Sequence, residues 1–246
     1  MMSHVSSSDK VLKSTTAKME FFFDVFSLLP PAEKPAAMAQ SMEAILHTAQ
    51  SYSPNGWMEH IFQCNCSELE RYVITDVFHF KEQKAFPDFK HEYIVLRVQP
   101  KSSSCTSAPP HTDIKLSRTI RNHGLSARLG LWGSATDTVE VQAPPSAVPV
   151  QEIHRLTWQQ NNAPDLLRIS YLVSTVHHHR MPNYCLLKTS CYAFARAIKD
   201  AIYRKYDGSA AAPNPPRFLT RQSYFMGCIP AGITKSQKVA EAVTGL

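Results

Sequence analysis

The stretch Tyr184-Cys185-Leu186-Leu187-Lys188-Thr189-Ser190-Cys191-Tyr192-Ala193-Phe194-Ala195-Arg196-Ala197-Ile198 decides how the chain is read. Tyr184 to Leu187 has strand character and feeds a short polar turn. A helix follows from about Ser190 to Tyr206, ahead of Asp207-Gly208. Thr189 or Ser190 can cap it, because a hydroxyl oxygen accepts from the orphan N–H groups of a first helical turn. Cys191 then falls in that first turn, where N–H groups and the helix dipole favour an anion. A cysteine so placed can ionise well below its free value of ~8.5, into a range of roughly 3.5–7.5. As a thiolate it attacks carbonyl carbon, and the same N–H groups can hold the resulting oxyanion. The spacing by itself favours a second reading. Cys191, Phe194, Ala195, Ile198 and Ile202 share one helical face, so Cys191 is either a nucleophile or a small core residue.

A thiolate mechanism asks for a base, and the chain holds eleven histidines. His91 opens His91-Glu92-Tyr93-Ile94-Val95-Leu96-Arg97-Val98, the strongest strand pattern, whose nearly continuous apolar run predicts burial of both faces. A histidine at a strand mouth can face a helix N-terminus packed on that strand, or it can be a half-buried ring bonded to backbone. The run His177-His178-His179-Arg180 reads as a solvated helix end, with phosphate contact as its competitor. Cys185 reads as core. Cys64 and Cys66, with His60 nearby, make half a metal site that no second pair completes. No metal and no cofactor is expected.

Outward from there, the order is helix, several strands, helix and long helix. This predicts an α+β domain, an antiparallel sheet packed against helices. A helix is expected over about 32–51, a turn at Ser53-Pro54-Asn55-Gly56, and a strand within 68–80. Strands are further expected at about 113–120, 136–142 and 153–158. Helices are expected at about 164–177 and 235–244. Residues 1–16 read as disordered, 17–206 as one domain with an N-terminal helical extension, and 207–246 as a Pro-rich linker and C-terminal extension.

Composition narrows the class. The 246 residues are 43% hydrophobic and 19% charged, which suits a globular chain with a real core. Glycine is scarce, and neither G-x-G-x-x-G nor a P-loop motif occurs, which disfavours those nucleotide sites. The six cysteines are irregularly spaced, so a disulfide scaffold is not expected. The apolar run Phe21 to Leu29 is about half the ~20 residues of a membrane span, and Asp24 interrupts it. The expectation is a cytoplasmic protein with reduced thiols and no membrane association.

The pairing of His91 at a strand start with Tyr184-x-Leu-Leu-x-x-Ser-Cys191-x-x-Phe194-Ala195 opening a long helix about 100 residues later resembles the circularly permuted papain-like fold. That group includes the NlpC-type enzymes in permuted form, the lecithin retinol acyltransferase relatives and the PPPDE peptidases. Ser190 stands where those families usually carry Asn. The pattern is also similar to fungal proteins with an H-E-[FY]-x-V strand and an S-Q-C-Y-W-F-A-like helix start. The resemblance implies Cys191 as nucleophile and His91 as base; it gives no clear counterpart for the family's third polar residue, for which Asp137 and Arg118 are the candidates. It covers about residues 88–206. The reaction class it implies is acyl transfer through a thioester, giving hydrolysis with water and amide formation with an amine.

The net charge of +6 allows a polyanionic partner. Arg118 and Arg121, with Arg196, Lys199 and Tyr192 on the helix, are the expected substrate-binding residues. A basic surface suits an acyl donor carried on a polyanion such as aminoacyl-tRNA, delivered to a small-molecule or peptide acceptor. In size and charge the chain is similar to the fungal arginine-containing cyclodipeptide synthases, which use aminoacyl-tRNA. Three classes therefore compete: a cysteine acyltransferase or hydrolase, a non-enzymatic RNA- or phosphate-binding module, and a scaffold on an inactive papain-like core.

Overall fold

Alternation at period two builds the centre of the molecule. In the computed structural model, Ile94, Leu96 and Val98 turn to one side of their strand and join the core, while Tyr93, Val95 and Arg97 turn to the other. The structure describes residues 41–64, 66–83, 91–101, 111–120, 132–178, 183–185, 188–206, 209–211, 224–225, 229–230 and 232–245. All belong to one compact unit, Gln40–Leu246. The expectations for residues 1–39 fall outside the described residues.

The fold is α+β, an antiparallel sheet with helices. Its strands are β1 (Gln50–Tyr52), β2 (Tyr72–Glu82), β3 (Glu92–Pro100), β4 (Thr112–Ile120), β5 (Trp132–Val141), β6 (Val150–Thr157), β7 (Asn183–Cys185) and β8 (Ser209–Ala211). They lie in the order β1-β5-β4-β3-β2-β6-β8, with β7 paired to β5. Among the described residues these strands all pair antiparallel. A short separate pair joins β9 (Tyr224–Phe225) to β10 (Ile229–Pro230). The helices are α1 (Met42–Leu46), α2 (Pro54–Gln63), α3 (Cys66–Leu69), α4 (Leu166–His178), α5 (Cys191–Tyr206) and α6 (Ile233–Thr244).

One face of the sheet carries the helices. α5 is buried on nearly every side of its first two turns, from Cys191 to Ala195 and again at Ala197 and Ile198, so it lies in the core rather than on it. α4 adds Leu166, Ile169, Leu172, Val173 and Val176, and α6 adds Val239 and Ala240. Trp57 of α2 donates its indole N–H to Ser170 Oγ of α4 at 2.8 Å, within the same core. Gly232 enters α6 at φ +71, and a Cβ there would stand 2.4 Å from Ala193 Cβ and 2.6 Å from Lys188 O. Only glycine lets α6 approach the first turn of α5 so closely.

Three expectations change. The helix foreseen through Ser51 stops at Leu46, and Gln50–Tyr52 instead pair with Val139–Val141 at a sheet edge. The foreseen turn at Ser53 is the start of α2. Ser53 Oγ accepts from Gly56 N–H at 3.1 Å and Pro54 takes the first helical position, where its missing N–H costs nothing. The tail foreseen as linker belongs to the domain: β8 pairs with β6, and α6 contributes to the core. No helix among the described residues is long and apolar enough to cross a membrane.

Candidate functional site

Between β7 and α5, Cys185 O accepts from Lys188 N–H at 3.0 Å and Thr189 N–H at 2.9 Å. Ser190 O accepts from Phe194 N–H at 3.0 Å and opens the helix. Neither expected hydroxyl caps it. Thr189 Oγ1 donates back to Asn183 O at 2.6 Å, and Ser190 Oγ is buried with no hydrogen-bond partner.

Cys191 sits where the sequence placed it, in the first turn of α5, but it is 3% exposed. The Tyr184 hydroxyl lies 3.8 Å from its sulfur. Burial first, and the charge of Glu92 after it, push the thiol up to about 11 against the lowering influence of neighbouring donors. This is the opposite direction from the lowered thiol expected at a helix start. The first-turn N–H groups are present, but desolvation outweighs them.

Among the described residues no imidazole hydrogen-bonds to Cys191. The His91 ring is half-buried and stacks on Tyr93, 6.0 Å between centroids. Tyr93 faces away from α5, towards Lys115, whose ammonium lies 5.0 Å from its ring. Strand alternation thus turns Glu92, not His91, towards Cys191. On that far face an open cleft of about 440 Å³ runs between Phe80, Tyr93, Lys115 and the Pro144–Pro149 loop.

Around Cys191 the sheet carries a row of buried charge. Lys81 on β2 lies opposite Glu92 on β3, and Arg118 on β4 lies opposite Asp137 on β5. Two buried pairs of opposite charge therefore sit across the β2–β3 and β4–β5 seams. Glu92 Oε1 accepts from Lys81 Nζ at 3.0 Å and its Oε2 meets His79 Nε2 at 2.9 Å. Burial opposes ionisation of Glu92, yet the His79 and Lys81 contacts prevail and hold its carboxyl below the usual range. Burial holds His79 neutral despite Glu92, so its Nε2 carries the shared proton. The β2–β6 register shifts at His79/Phe80, a bulge beside this site. Lys81 Nζ also lies 4.9 Å from the Tyr192 ring, and the Tyr192 phenol is raised by burial first and then by Cys191 and Glu92.

At the other end of the row, Arg118 is 0% exposed. It grips Asp137 with Nε on Oδ1 and Nη2 on Oδ2, both at 2.6 Å. Its Nη1 donates to Thr189 O at 3.2 Å, and its guanidinium lies 4.8 Å from the Phe194 ring. Asp137 Oδ2 also meets His177 Nδ1 at 2.5 Å. Asp137, a candidate for the third polar residue, is thus beside a histidine, but that histidine is His177 rather than His91. His178 Nε2 instead meets Asn55 Oδ1 at 2.7 Å, and His179 lies outside the described residues.

The foreseen basic face is largely neutralised within the chain. Arg118 is buried on Asp137. Arg196 pairs with Asp200 at 3.2 Å, and the buried Lys199 pairs with Asp200 at 2.8 Å. On the far sheet face Arg97 pairs with Asp113 at 3.0 Å and Lys115 with Glu140 at 3.3 Å. Tyr192 is buried beneath α5 rather than offered to a ligand, and Arg121 lies outside the described residues. Among the described residues no cluster of three or more His, Cys, Asp or Glu side chains is placed to hold a metal ion. Cys64 donates to His60 O at 3.3 Å.

Sequence reasoning missed His79, Lys81, Glu92 and the role of His177. A signal existed for the first two: in Phe78-His79-Phe80-Lys81, period two puts both polar residues on one face of a strand. No protein-family model, no curated protein and no solved structure matches this chain.

Proposed function

We propose that the protein is an enzyme of acyl transfer whose centre is the first turn of α5, with Cys191 as nucleophile. The observation that carries this reading is the sulfur's setting. It lies on the first turn of a helix with the Tyr184 hydroxyl 3.8 Å away and the buried Glu92 carboxylate bearing on it, beside buried pairs of opposite charge. Buried ion pairs are weak devices for stability, since apolar replacements often do as well, whereas clustered titratable groups with displaced pKa values are characteristic of reactive sites.

The chemistry follows from the protonated thiol. As sulfur attacks the acyl carbon, the S–H bond breaks and the S–C bond forms. The proton passes to the ionised Glu92 carboxylate, whose charge already bears on the thiol. The donor's leaving group departs with that proton, leaving a thioester on Cys191 and Glu92 ionised again. Glu92 thus takes the proton-handling part that the permuted papain-like resemblance assigned to His91. The Tyr184 hydroxyl, 3.8 Å from the sulfur, is the donor placed nearest the oxyanion of the tetrahedral intermediate. Because Arg118, Arg196 and Lys199 are engaged within the chain, the described residues favour a small ester or thioester donor over a polyanionic carrier.

Intact mass after incubation with cell extract, with and without RNase, tests this. An acyl adduct on the wild type that Cys191→Ala lacks, and that survives RNase, is expected. An adduct lost on RNase treatment restores aminoacyl-tRNA as donor, and an adduct retained by Cys191→Ala overturns the nucleophile. A second reading, a non-enzymatic ligand-binding module, draws on the sealing of the thiol. It is the outcome if neither protein acquires an adduct.

A further inference from the structure

We propose that the sheet face opposite α5 holds a second site, a slot for an uncharged two-ring nitrogen heterocycle of the purine type. It stands apart from the acyl-transfer reading, because none of its residues belongs to the Cys191 centre. Its floor is aromatic. Phe80 of β2 and Tyr93 of β3 are cross-strand partners with ring centroids 5.6 Å apart, and Val95 follows on the same face of β3. Its roof is the connection from β5 to β6. The sheet order puts β4, β3 and β2 between those two strands, so residues 142–149 cross all three. They cross on the side that carries Phe80, Tyr93 and Val95, leaving a cleft of about 440 Å³ between roof and floor.

The roof is fixed at both ends. Gln142 stands in the left-handed region, at φ 50°, where a non-glycine residue is strained. Its N–H donates to Asp113 O at 3.0 Å and its Nε2 donates to Leu46 O at 3.0 Å, which holds it there. At the other end Pro149 O accepts from Gln83 N–H at 2.7 Å. Pro144, Pro145 and Pro149 restrict the backbone along the way, so the slot keeps its shape when empty. Strain of this kind persists where the surrounding structure over-determines it, and it clusters at ligand clamps.

The lining sets the chemistry of the occupant. Tyr93 is 6% exposed, yet its hydroxyl makes no hydrogen bond among the described residues. Burial, and then the charge of Glu82, push the phenol up to about 12, so at neutral pH it is a donor. A buried donor without a partner is completed by a ligand acceptor such as a ring nitrogen. Two charged residues line the cleft, and each is neutralised within the chain: Asp113 by Arg97 at 3.0 Å, Lys115 by Glu140 at 3.3 Å. That balance gives no net pull on a phosphate or an ammonium group. Aromatic faces below and pyrrolidine rings above admit a flat ring, and two floor rings side by side match a fused bicycle better than a single ring. The volume falls within the roughly 300–1,000 Å³ of small-ligand sites.

Calorimetric titration of the full-length protein with adenosine and with guanosine tests this. Saturable binding of at least one, with Kd at or below about 1 mM, is expected. Binding of neither overturns the proposal. Tyr93→Phe removes only the hydroxyl and is expected to weaken binding about fivefold, within the range of one neutral hydrogen bond. Unchanged affinity in that variant overturns the site. Val95→Trp fills the slot and is expected to abolish binding, with circular dichroism as the check on its fold; should it fail to fold, Tyr93→Phe decides alone. AMP is expected to bind no tighter than adenosine, and a gain of about tenfold would reveal a phosphate site and overturn the uncharged ligand. Decaproline, the other natural occupant of an aromatic floor, is expected not to bind, and its saturable binding in place of the nucleosides overturns the proposal.

Discussion

Lys81 and Glu92 face each other across the β2–β3 pair, neither in contact with solvent, joined by a 3.0 Å hydrogen bond. A buried pair of this kind contributes little net stability when intact and costs a great deal when broken, because the surviving charge is left in a low-dielectric interior. Lys81→Met is therefore expected to destabilise the protein by about 3–5 kcal/mol. The double variant Lys81→Met/Glu92→Leu is expected to cost less than the single one. Urea denaturation of the three proteins measures this, and a single variant within about 1 kcal/mol of wild type would show that Glu92 does not depend on Lys81.

The thiol of Cys191 is expected to resist alkylation. With its pKa near 11 and only 3% of its surface exposed, the thiolate fraction at neutral pH is negligible. Native protein treated with iodoacetamide at neutral pH should label the half-buried Cys185 before Cys191. Labelling of Cys191 should rise steadily with pH up to about 11. Fast labelling of Cys191 at neutral pH would mean that the sulfur is ionised at rest.

Acid should weaken the fold in a definable window. His154, across from His79 in the β2–β6 pair, is pushed down to about 4 by burial and then by Lys199 and His79. Its unfolded value is 6.5. The unfolded state therefore binds the proton first, so this contribution is complete above about 6.5 and is lost as pH falls towards about 4. After allowance for solvent screening of a half-buried ring, the loss amounts to about 1–2 kcal/mol. The difference between wild type and His154→Gln isolates it. The depressed carboxyls of Glu92 and Asp137 act below that window, their stabilisation being lost only as they protonate. A wild type and variant whose stabilities run parallel between pH 6.5 and 4 would refute the assignment.

Gly232→Ala should be among the more damaging small substitutions. The left-handed backbone alone costs about 1–2 kcal/mol for an alanine. The added methyl also meets Ala193 Cβ at 2.4 Å and the Lys188 carbonyl at 2.6 Å, so α6 or the first turn of α5 must shift. Thermal melting is expected to fall by several degrees, and the control Gly245→Ala, with open space around its Cβ, should fall less.

Legibility in the sequence followed the range of the interaction concerned. Periodicity is local, so α5, α4 and the strands around Tyr93, Ile114 and Ile153 could be read directly, as could Cys191 at a helix start. The strand mouth of His91 was equally visible. Its one-residue phase relative to Glu92 was not, because an apolar run flanked by two polar residues does not say which of them turns inward.

What the sequence determined by itself is the set of elements and the position of Cys191 on the first turn of α5, since both follow from side-chain spacing along a few turns or a few strand residues. Tertiary structure alone decided that the thiol is sealed, that Glu92 faces it, and that Asp137 meets His177. Asp137 meets Arg118, 19 positions earlier, and His177, 40 positions later, only because β4, β5 and the end of α4 come together. Such distances in sequence are closed by strand register and packing, and the field around each charge is set by the neighbours that exclude water from it.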